Sequence, residues 1–469
     1  MTGALGTNYE IASRESLVLP LLARAEAVQK LGDFGPSLAE LRPYEVKARE
    51  ADELARVRRF KRWAMLSAVR ELLPDERVSG CCRRPAVRPG EKLPEAVEIH
   101  RSAELRDARF HRLAVCGDVW RCPVCAPYVA AQRAEELRRV GREHLDAGGG
   151  ALLVTLTFRH HAGDDLADIL ARFAAAREDL YRQRAFRALL ASVGYVGDVR
   201  TLEVTHGANG WHPHTHDLLF IESPLPSEGE EVERVLEMGG ESLSIRARKP
   251  SPLLQFGQDF FRMWRKAARK HGLEVVRDGF HVRATLQDTT EDEWDALTGY
   301  MQDRHEVEFG GNWDAAREMT GAASKLGRKG GRTPMQLLAD FALDGDAQAG
   351  RLFQMYAAAF KGRRQLSWSS SLKKLYPSAE PVKTDQQAAE HIPAEYIRWA
   401  SITWSTWKKV LRAGGRVRGE LLDLAARDDR PAMLALLRAC EDGTLKEVVS
   451  FRRRLFAASD RPFLSEPVS

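Results

Sequence analysis

Three histidines alternate in Gly210-Trp211-His212-Pro213-His214-Thr215-His216-Asp217-Leu218-Leu219-Phe220, and the chain then turns strongly apolar. A period of two sets His212, His214 and His216 on one face of an extended strand. Pro213 is compatible with this, since proline is tolerated at a strand start or edge. One histidine here would read as a solvated strand end. Three in alternation, running into a buried strand, make poor core material and a good half of a metal site. The preceding segment, Thr201-Leu202-Glu203-Val204-Thr205, also has strand character, and Asn209-Gly210 is a hairpin signal between the two. Across such a hairpin Glu203 faces the returning histidine strand. Two imidazoles and a carboxylate with positions left open suit Mn2+ or Mg2+ that must also hold a phosphate oxygen.

A second set of residues is rich in sulfur. Cys81, Cys82, Cys116, Cys122 and Cys125 lie close together in the chain, and Cys122-Pro123-Val124-Cys125 is a Cys-x-x-Cys knuckle. In a chain expected to work in the cytoplasm this reads as metal before disulfide. A structural zinc takes four thiolates at tetrahedral positions. Cys116, Cys122 and Cys125 supply three; either Cys81 or Cys82 supplies the fourth, since adjacent residues seldom both ligate one ion. A thioredoxin-type redox pair would need a strand and then a helix leading into it, and that pattern is missing. Cys440 sits in a helical pattern with Met433, Leu436 and Leu437 and reads as a core thiol.

These residues must be positioned by a folded chain. Its 469 residues have room for two or three domains and a full core. A hydrophobic content of 44% and a charged content of 29% are those of a soluble globular protein. No apolar run reaches the roughly 18 residues of a membrane span, and Met1 to Arg14 is polar, so neither a membrane partner nor a secretory leader is expected. Net charge is +5, but Lys325 to Lys374 holds ten Lys/Arg against three Asp. Such concentration points to a polyanion, with Arg328, Lys329, Arg332, Lys361, Arg363 and Arg364 as candidate contacts. Arg56 to Trp63 interleaves basic and aromatic residues, which suits either nucleic acid or a snorkelling helix face.

Periodicity then divides the chain. Residues 1–75 read as helical and charged. Residues 76–148 hold the cysteines in loop-like sequence, followed by a helix over Ala130 to Leu145. Over 149–313 the order is a buried strand (Ala151 to Phe158), a helix (Leu166 to Tyr181), the hairpin of Val199 to Thr205 with the histidine strand, an acidic surface insertion (222–250), a helix (Leu253 to His271), a strand (Gly279 to Leu286) and a helix (Asp292 to Arg304). This order indicates an α+β domain, an antiparallel sheet with helices on one side. Residues 314–376 form a basic helical extension and 377–469 a helical C-terminal region, frayed after Arg461.

Taken in order, these blocks resemble the His-hydrophobic-His (HUH) endonucleases, and most closely the rolling-circle plasmid replication initiators. Leu153-Val154-Thr155-Leu156-Thr157-Phe158 is similar to the first family motif. Glu203-Val204-Thr205 with Trp211 to Leu219 is similar to the second, with His214 and His216 at the metal positions and His212 where the family often has Asn or His. Leu297-Thr298-Gly299-Tyr300-Met301 is similar to the third and places Tyr300 at the nucleophile position. Cys116 to Ala126, Gly327 to Pro334 and Phe360 to Leu366 also resemble family blocks, so the likeness runs from about Cys82 to Tyr376. It implies an HUH-type antiparallel sheet with flanking helices, a divalent metal, structural Zn2+, and single-stranded or hairpin origin DNA as substrate. It also implies a host helicase and polymerase as partners, since the chain has no Walker A motif. Relaxases and transposases share the chemistry. A relaxase, however, usually carries its tyrosine near the N-terminus, ahead of the histidines. A zinc-dependent nucleic-acid-binding protein without catalysis would leave Tyr300 and the His–Glu cluster unexplained. Two positions depart from the family. Asp303 replaces a frequent lysine, and Ala296 replaces a glutamate that some members use at termination. Asp303, about 4.5 Å along a helix from Tyr300, is the candidate for that acid–base duty, and Glu293, about 10.5 Å along it, a partial substitute.

Overall fold

The computed structural model describes residues 43–87, 90, 92–228, 231–238, 241–248, 250–284, 331–376 and 384–445. Tyr300, Asp303, Glu293, Arg328 and Lys329 lie outside the described residues, as do residues 1–42, the expected helix over 292–304 and the tail.

The central element is a five-stranded antiparallel sheet. It contains β3 (Gly150–Leu156), β4 (Tyr195–Gly207), β5 (Gly210–Ile221), β8 (His281–Ala284) and β9 (Leu366–Trp368), in the order β8-β3-β5-β4-β9. β3 is a nearly unbroken apolar run because both of its faces are covered. Leu152, Val154 and Leu156 join the core formed with α3 (Leu166–Arg182) and α5 (Pro252–Lys270). Ala151 and Leu153 pack instead with Leu137 and Val140 of α2 (Cys125–Asp146) and with Leu372 of α8 (Ser370–Leu375). Helices therefore flank both faces, not one. Two signals were hard to read from pattern alone: α2 starts inside the cysteine knuckle, and α8 is a single short turn of helix.

The covering helices form for local reasons. Asp165 caps α3 by accepting from the Asp168 amide, and Leu166, Ile169, Leu170, Phe173, Ala176 and Leu180 make its buried stripe. Ser251 caps α5, Pro252 occupies its first turn, and Phe256, Phe260 and Trp264 are buried at i, i+4 and i+8. A short helix α4 (Arg184–Ser192) between α3 and β4 buries Phe186 and Leu190.

A second, three-stranded sheet has the order β10-β1-β2, with β1 (Ala96–Ser102), β2 (Asp107–His111) and β10 (Ile397–Thr403). It overturns two expectations, a loop-like 76–126 and a wholly helical region after 314. β10 lies some three hundred residues from β1 in sequence, and β9 is only three residues long, so neither advertises its partner locally. The insertion at 222–250 likewise holds a hairpin, β6 (Glu231–Met238) and β7 (Glu241–Arg248). The small sheet packs on α11 (Gly415–Ala426), and Phe110 meets Trp63 of α1 (Pro43–Leu72) and Trp407 of the helix before α11 edge-on. The basic-aromatic stretch of α1 is spent inside this contact. Phe60 and Trp63 are buried, and Arg59 donates to Asp423 at 2.8 Å. The C-terminal part is α10 (Trp404–Ala413), α11 and α12 (Arg430–Asp442), which buries Cys440 as expected. Among the described residues no helix is long and apolar enough to cross a membrane.

Candidate metal centres

The β4–β5 hairpin turns through Ala208-Asn209, with Gly207 paired to Gly210. Gly210 has φ +82°, and a Cβ there would stand 2.7 Å from the His161 carbonyl oxygen, so only glycine fits. The register that follows puts Glu203 directly opposite His214 and Thr201 opposite His216. The ligand-type atoms of Glu203, His214 and His216 all lie within 4.8 Å of one another. His214 Nε2 is 3.1 Å and His216 Nε2 3.8 Å from Glu203 Oε2. Their side chains are 8%, 17% and 6% exposed for Glu203, His214 and His216, so solvent reaches the group mainly past His214.

β3 supplies the orientation. Thr155 pairs with His216, and its Oγ1 lies 3.0 Å from His216 Nδ1, which leaves Nε2 turned toward Glu203. Thr157 Oγ1 does the same for His212, 2.8 Å from its Nε2. His212 stands apart from the other three: its ring stacks on His160 at 4.6 Å. Burial, then His214 and His160, pushes its pKa down to about 4, so the ring is neutral near pH 7. The two threonines were visible in the sequence as alternate positions of one strand, but nothing there linked them to the histidines.

The opposite face of β5 is built from buried charge. Asp217, fully buried, pairs with Arg177 of α3 at 2.8 Å, and Arg177 also reaches Asp198 at 3.1 Å. Against the burial that would lower it, these carboxylates and Tyr181 hold the Arg177 guanidinium well above its ordinary pKa. This anchor fixes the residue next to His216 to α3, and so fixes the pleat that aims His214 and His216 at Glu203.

The second centre is the cysteine cluster. Cys81, Cys116, Cys122 and Cys125 converge, all four buried. The Sγ pairs Cys81–Cys125, Cys81–Cys122 and Cys116–Cys125 are 3.5, 3.6 and 3.7 Å apart. Zinc–thiolate bonds of about 2.3 Å give a tetrahedral edge of about 3.8 Å, so the spacing fits a tetrathiolate zinc. Cys82 is the spare. Its backbone takes the left-handed conformation, φ 55°, and its amide donates to the Ala114 carbonyl at 2.8 Å. Its Sγ lies 3.7 Å from that of Cys81 and outside the four-sulfur group. Burial raises the Cys122 thiol well above its ordinary pKa, so a thiolate at this position requires a cation beside it.

The expected DNA contacts divide. Arg332 Nη1 donates to Asp340 at 2.9 Å and to Asp346 at 3.3 Å, and its backbone pairs with His206. Lys361 reaches Glu76 at 2.7 Å from an exposed position. Arg363 and Arg364 are exposed on the same turn, whose Arg363 carbonyl accepts from Trp120 Nε1 at 2.8 Å. This turn therefore sits against the cysteine region. Phe360 is core, buried between Trp120 and Tyr356.

Residues 108–227 match the family model described as Replication protein, a segment running from β2 through the knuckle, β3 and the whole hairpin. The chain is similar to "Protein rep" of Streptomyces lividans, 26% identical over 302 residues, which cover 55% of this chain and 63% of that protein. It is also similar to a "Neomycin resistance protein" of Streptomyces cyanogenus, 33% identical over 134 residues, 23% of this chain and 31% of that one. The matched part thus spans less than two thirds of either relative. No solved structure matches the chain. These matches support the resemblance to rolling-circle plasmid replication initiators read from the motifs.

Proposed function

We propose that the chain is a plasmid rolling-circle replication initiator that nicks single-stranded or hairpin origin DNA. The observation that carries this reading is the convergence of Glu203, His214 and His216 on one face of the hairpin, with ligand-type atoms within 4.8 Å. A phosphodiester repels nucleophiles by its charge, and a divalent ion such as Mn2+ or Mg2+, when bound, neutralises a non-bridging oxygen. Glu203, His214 and His216 would hold that ion, with Thr155 Oγ1 at His216 Nδ1 leaving Nε2 free to face it. Tyr300 gives its proton to solvent, its oxygen bonds to phosphorus while the bond to the 3′ oxygen breaks, and that oxygen takes up a proton from solvent. The 5′ phosphate stays on the tyrosine, and the released 3′ hydroxyl primes synthesis. The tyrosyl ester conserves the phosphodiester energy, so the reverse attack by a 3′ hydroxyl rejoins the strand at termination. Arg328, Lys329, Arg332, Lys361, Arg363 and Arg364 are the candidate phosphate contacts, with the salt dependence such contacts confer. The substrate is unpaired at the nick, and strand separation and synthesis fall to a host helicase and polymerase.

The test is labelled single-stranded origin DNA with Mn2+ or Mg2+ on a denaturing gel. Wild type yields a covalent protein–DNA adduct; Tyr300→Phe binds DNA about as well and yields none. An adduct from the Phe variant would move the nucleophile to another tyrosine. No adduct under any condition would leave a zinc-dependent DNA-binding protein.

Termination is assigned to acidic groups beside the tyrosine. Asp303, three residues after Tyr300 in the sequence, takes the acid–base duty in this reading, with Glu293, seven residues before it, as the more distant alternative. Asp303→Asn should nick normally and release circular product poorly. Unchanged release would leave Asp303 a helix-end residue.

A further inference from the structure

The small sheet carries a second arrangement of the same composition as the triad of the hairpin. Glu98 and His100 alternate on β1, and His111 lies opposite Glu98 on β2. In the hairpin Glu203 faces His214 across the strands, and His216 lies two residues further along. Both sites are thus one cross-strand Glu–His pair plus a second histidine at i+2 of one partner.

The geometry of the small-sheet group is tight. His100 Nε2 and His111 Nδ1 stand 2.8 and 3.1 Å from the same oxygen, Glu98 Oε2. The two rings meet edge-on at 4.8 Å. The ligand atoms of all three residues lie within 4.8 Å of one another. Bonds of about 2.0–2.2 Å from a zinc-class ion to nitrogen and oxygen put ligand atoms about 3.3–3.6 Å apart, which needs only a slight opening of this group. Glu98 is held ready for it. Its other oxygen, Oε1, faces Arg112 at 3.7 Å and Arg398 of β10 at 3.5 Å, which turns Oε2 toward the imidazoles. Those arginine side chains are 46% and 65% exposed, so solvent screens them and they remain available to an anion brought to the ion.

We infer that Glu98, His100 and His111 form a further divalent-metal site, taking a zinc-class cation on two imidazoles and one carboxylate with a position open to solvent. Two imidazoles and one carboxylate are the same ligand set as the hairpin triad, a set that first-row divalent ions such as zinc, cobalt, nickel and manganese accept. The open position distinguishes the site from the closed tetrathiolate cluster, which Cys116 joins only five residues after His111. The inference does not depend on nicking, because it concerns ion binding by a different sheet.

The experiment uses the full-length protein as purified and Co2+ as the probe, followed by equilibrium dialysis and by the visible absorption of the bound ion. The double variant His214→Ala/His216→Ala removes the hairpin site, and it should still bind one exchangeable Co2+ per chain. Adding Glu98→Gln or His100→Ala to that background should weaken this ion by at least about tenfold. Glu98→Gln conserves shape and one acceptor oxygen, and far-ultraviolet dichroism with retention of tightly held zinc confirms that it folds. Two outcomes would overturn the site: no exchangeable Co2+ in the double variant, or undiminished Co2+ affinity in the folded Glu98→Gln protein. In either case the trio is a hydrogen-bonded surface group only.

Discussion

The cysteine cluster and the hairpin triad are two different arrangements of side chains that could hold a cation. The first uses four sulfurs on three separate segments, all buried, with their mutual distances already near a tetrahedral edge. The second uses two nitrogens and an oxygen from adjacent strands, with His214 the most exposed of the three and no fourth side chain joining them among the described residues. A closed shell has nothing left to offer a substrate, so its free energy goes into the fold. An open shell holds an ion weakly enough, and incompletely enough, to share it with a phosphate. The supports differ in the same sense. The cluster is held by chain crossings, Cys82 to Ala114 and Ala114 to Arg84 at 2.8 Å each, and by the start of α2. The triad rides on a sheet whose other face is pinned by Arg177 and Asp217.

The comparison breaks most visibly at Cys122. Cys122→Ser should release the zinc and cost several kcal/mol, since binding free energy at such a site is folding free energy. The loss should show as a lower melting temperature and as zinc missing by elemental analysis. A variant that keeps its melting temperature without zinc would mean that the cluster is not structural.

The triad should respond in the opposite way. His216→Ala deletes one side chain from a sheet otherwise held by its core, and should cost no more than about 1–2 kcal/mol of stability. Metal-dependent nicking should fall at least about a hundredfold, because even a residue that merely orients a ligand is worth about ten- to a hundredfold. EDTA should do the same to the wild type, with recovery on adding Mn2+. Nicking at the normal rate in either case would remove the metal from the reaction.

What could be read from the sequence follows the range of the signals. Alternation is local, so His214 and His216 were legible on one face, and Asn209-Gly210 announced the turn that brings Glu203 opposite them. The turn itself is one residue earlier, centred on Ala208-Asn209, because Gly210 is required for its positive φ and its closeness to His161. The long amphipathic helices α3 and α5 were legible for the same reason. Contacts made at long range were not. β10 finds β1 only after the whole large sheet has intervened, so the small sheet was missed, and with it the alternation Glu98-x-His100 and its partner His111. The coupling of Arg177 to Asp217 joins a helix to a strand 40 residues away, and no periodicity marks it. The basic-aromatic stretch of α1 was ambiguous in isolation and became a helix–helix contact only because Asp423 arrives from α11.

The smallest expected effect falls on the one choice the sequence left open, Cys81 or Cys82. Both are buried, so burial does not separate them. The backbone does: the left-handed turn at Cys82 commits its amide to Ala114 and sends its sulfur away from Cys116, Cys122 and Cys125. Cys82→Ser should therefore keep a full equivalent of zinc and lose no more than about 1 kcal/mol, the cost of a near-isosteric change in a packed site. Cys81→Ser should lose the zinc as Cys122→Ser does. Serine accommodates the turn at Cys82 as well as cysteine does, so backbone strain does not confuse the result. If instead both single variants keep the metal, either sulfur can complete the shell, and the turn at Cys82 opens more easily than its hydrogen bond suggests. If both lose it, the two adjacent thiols act together, one as ligand and one as a support that the 3.7 Å contact between their sulfurs would supply.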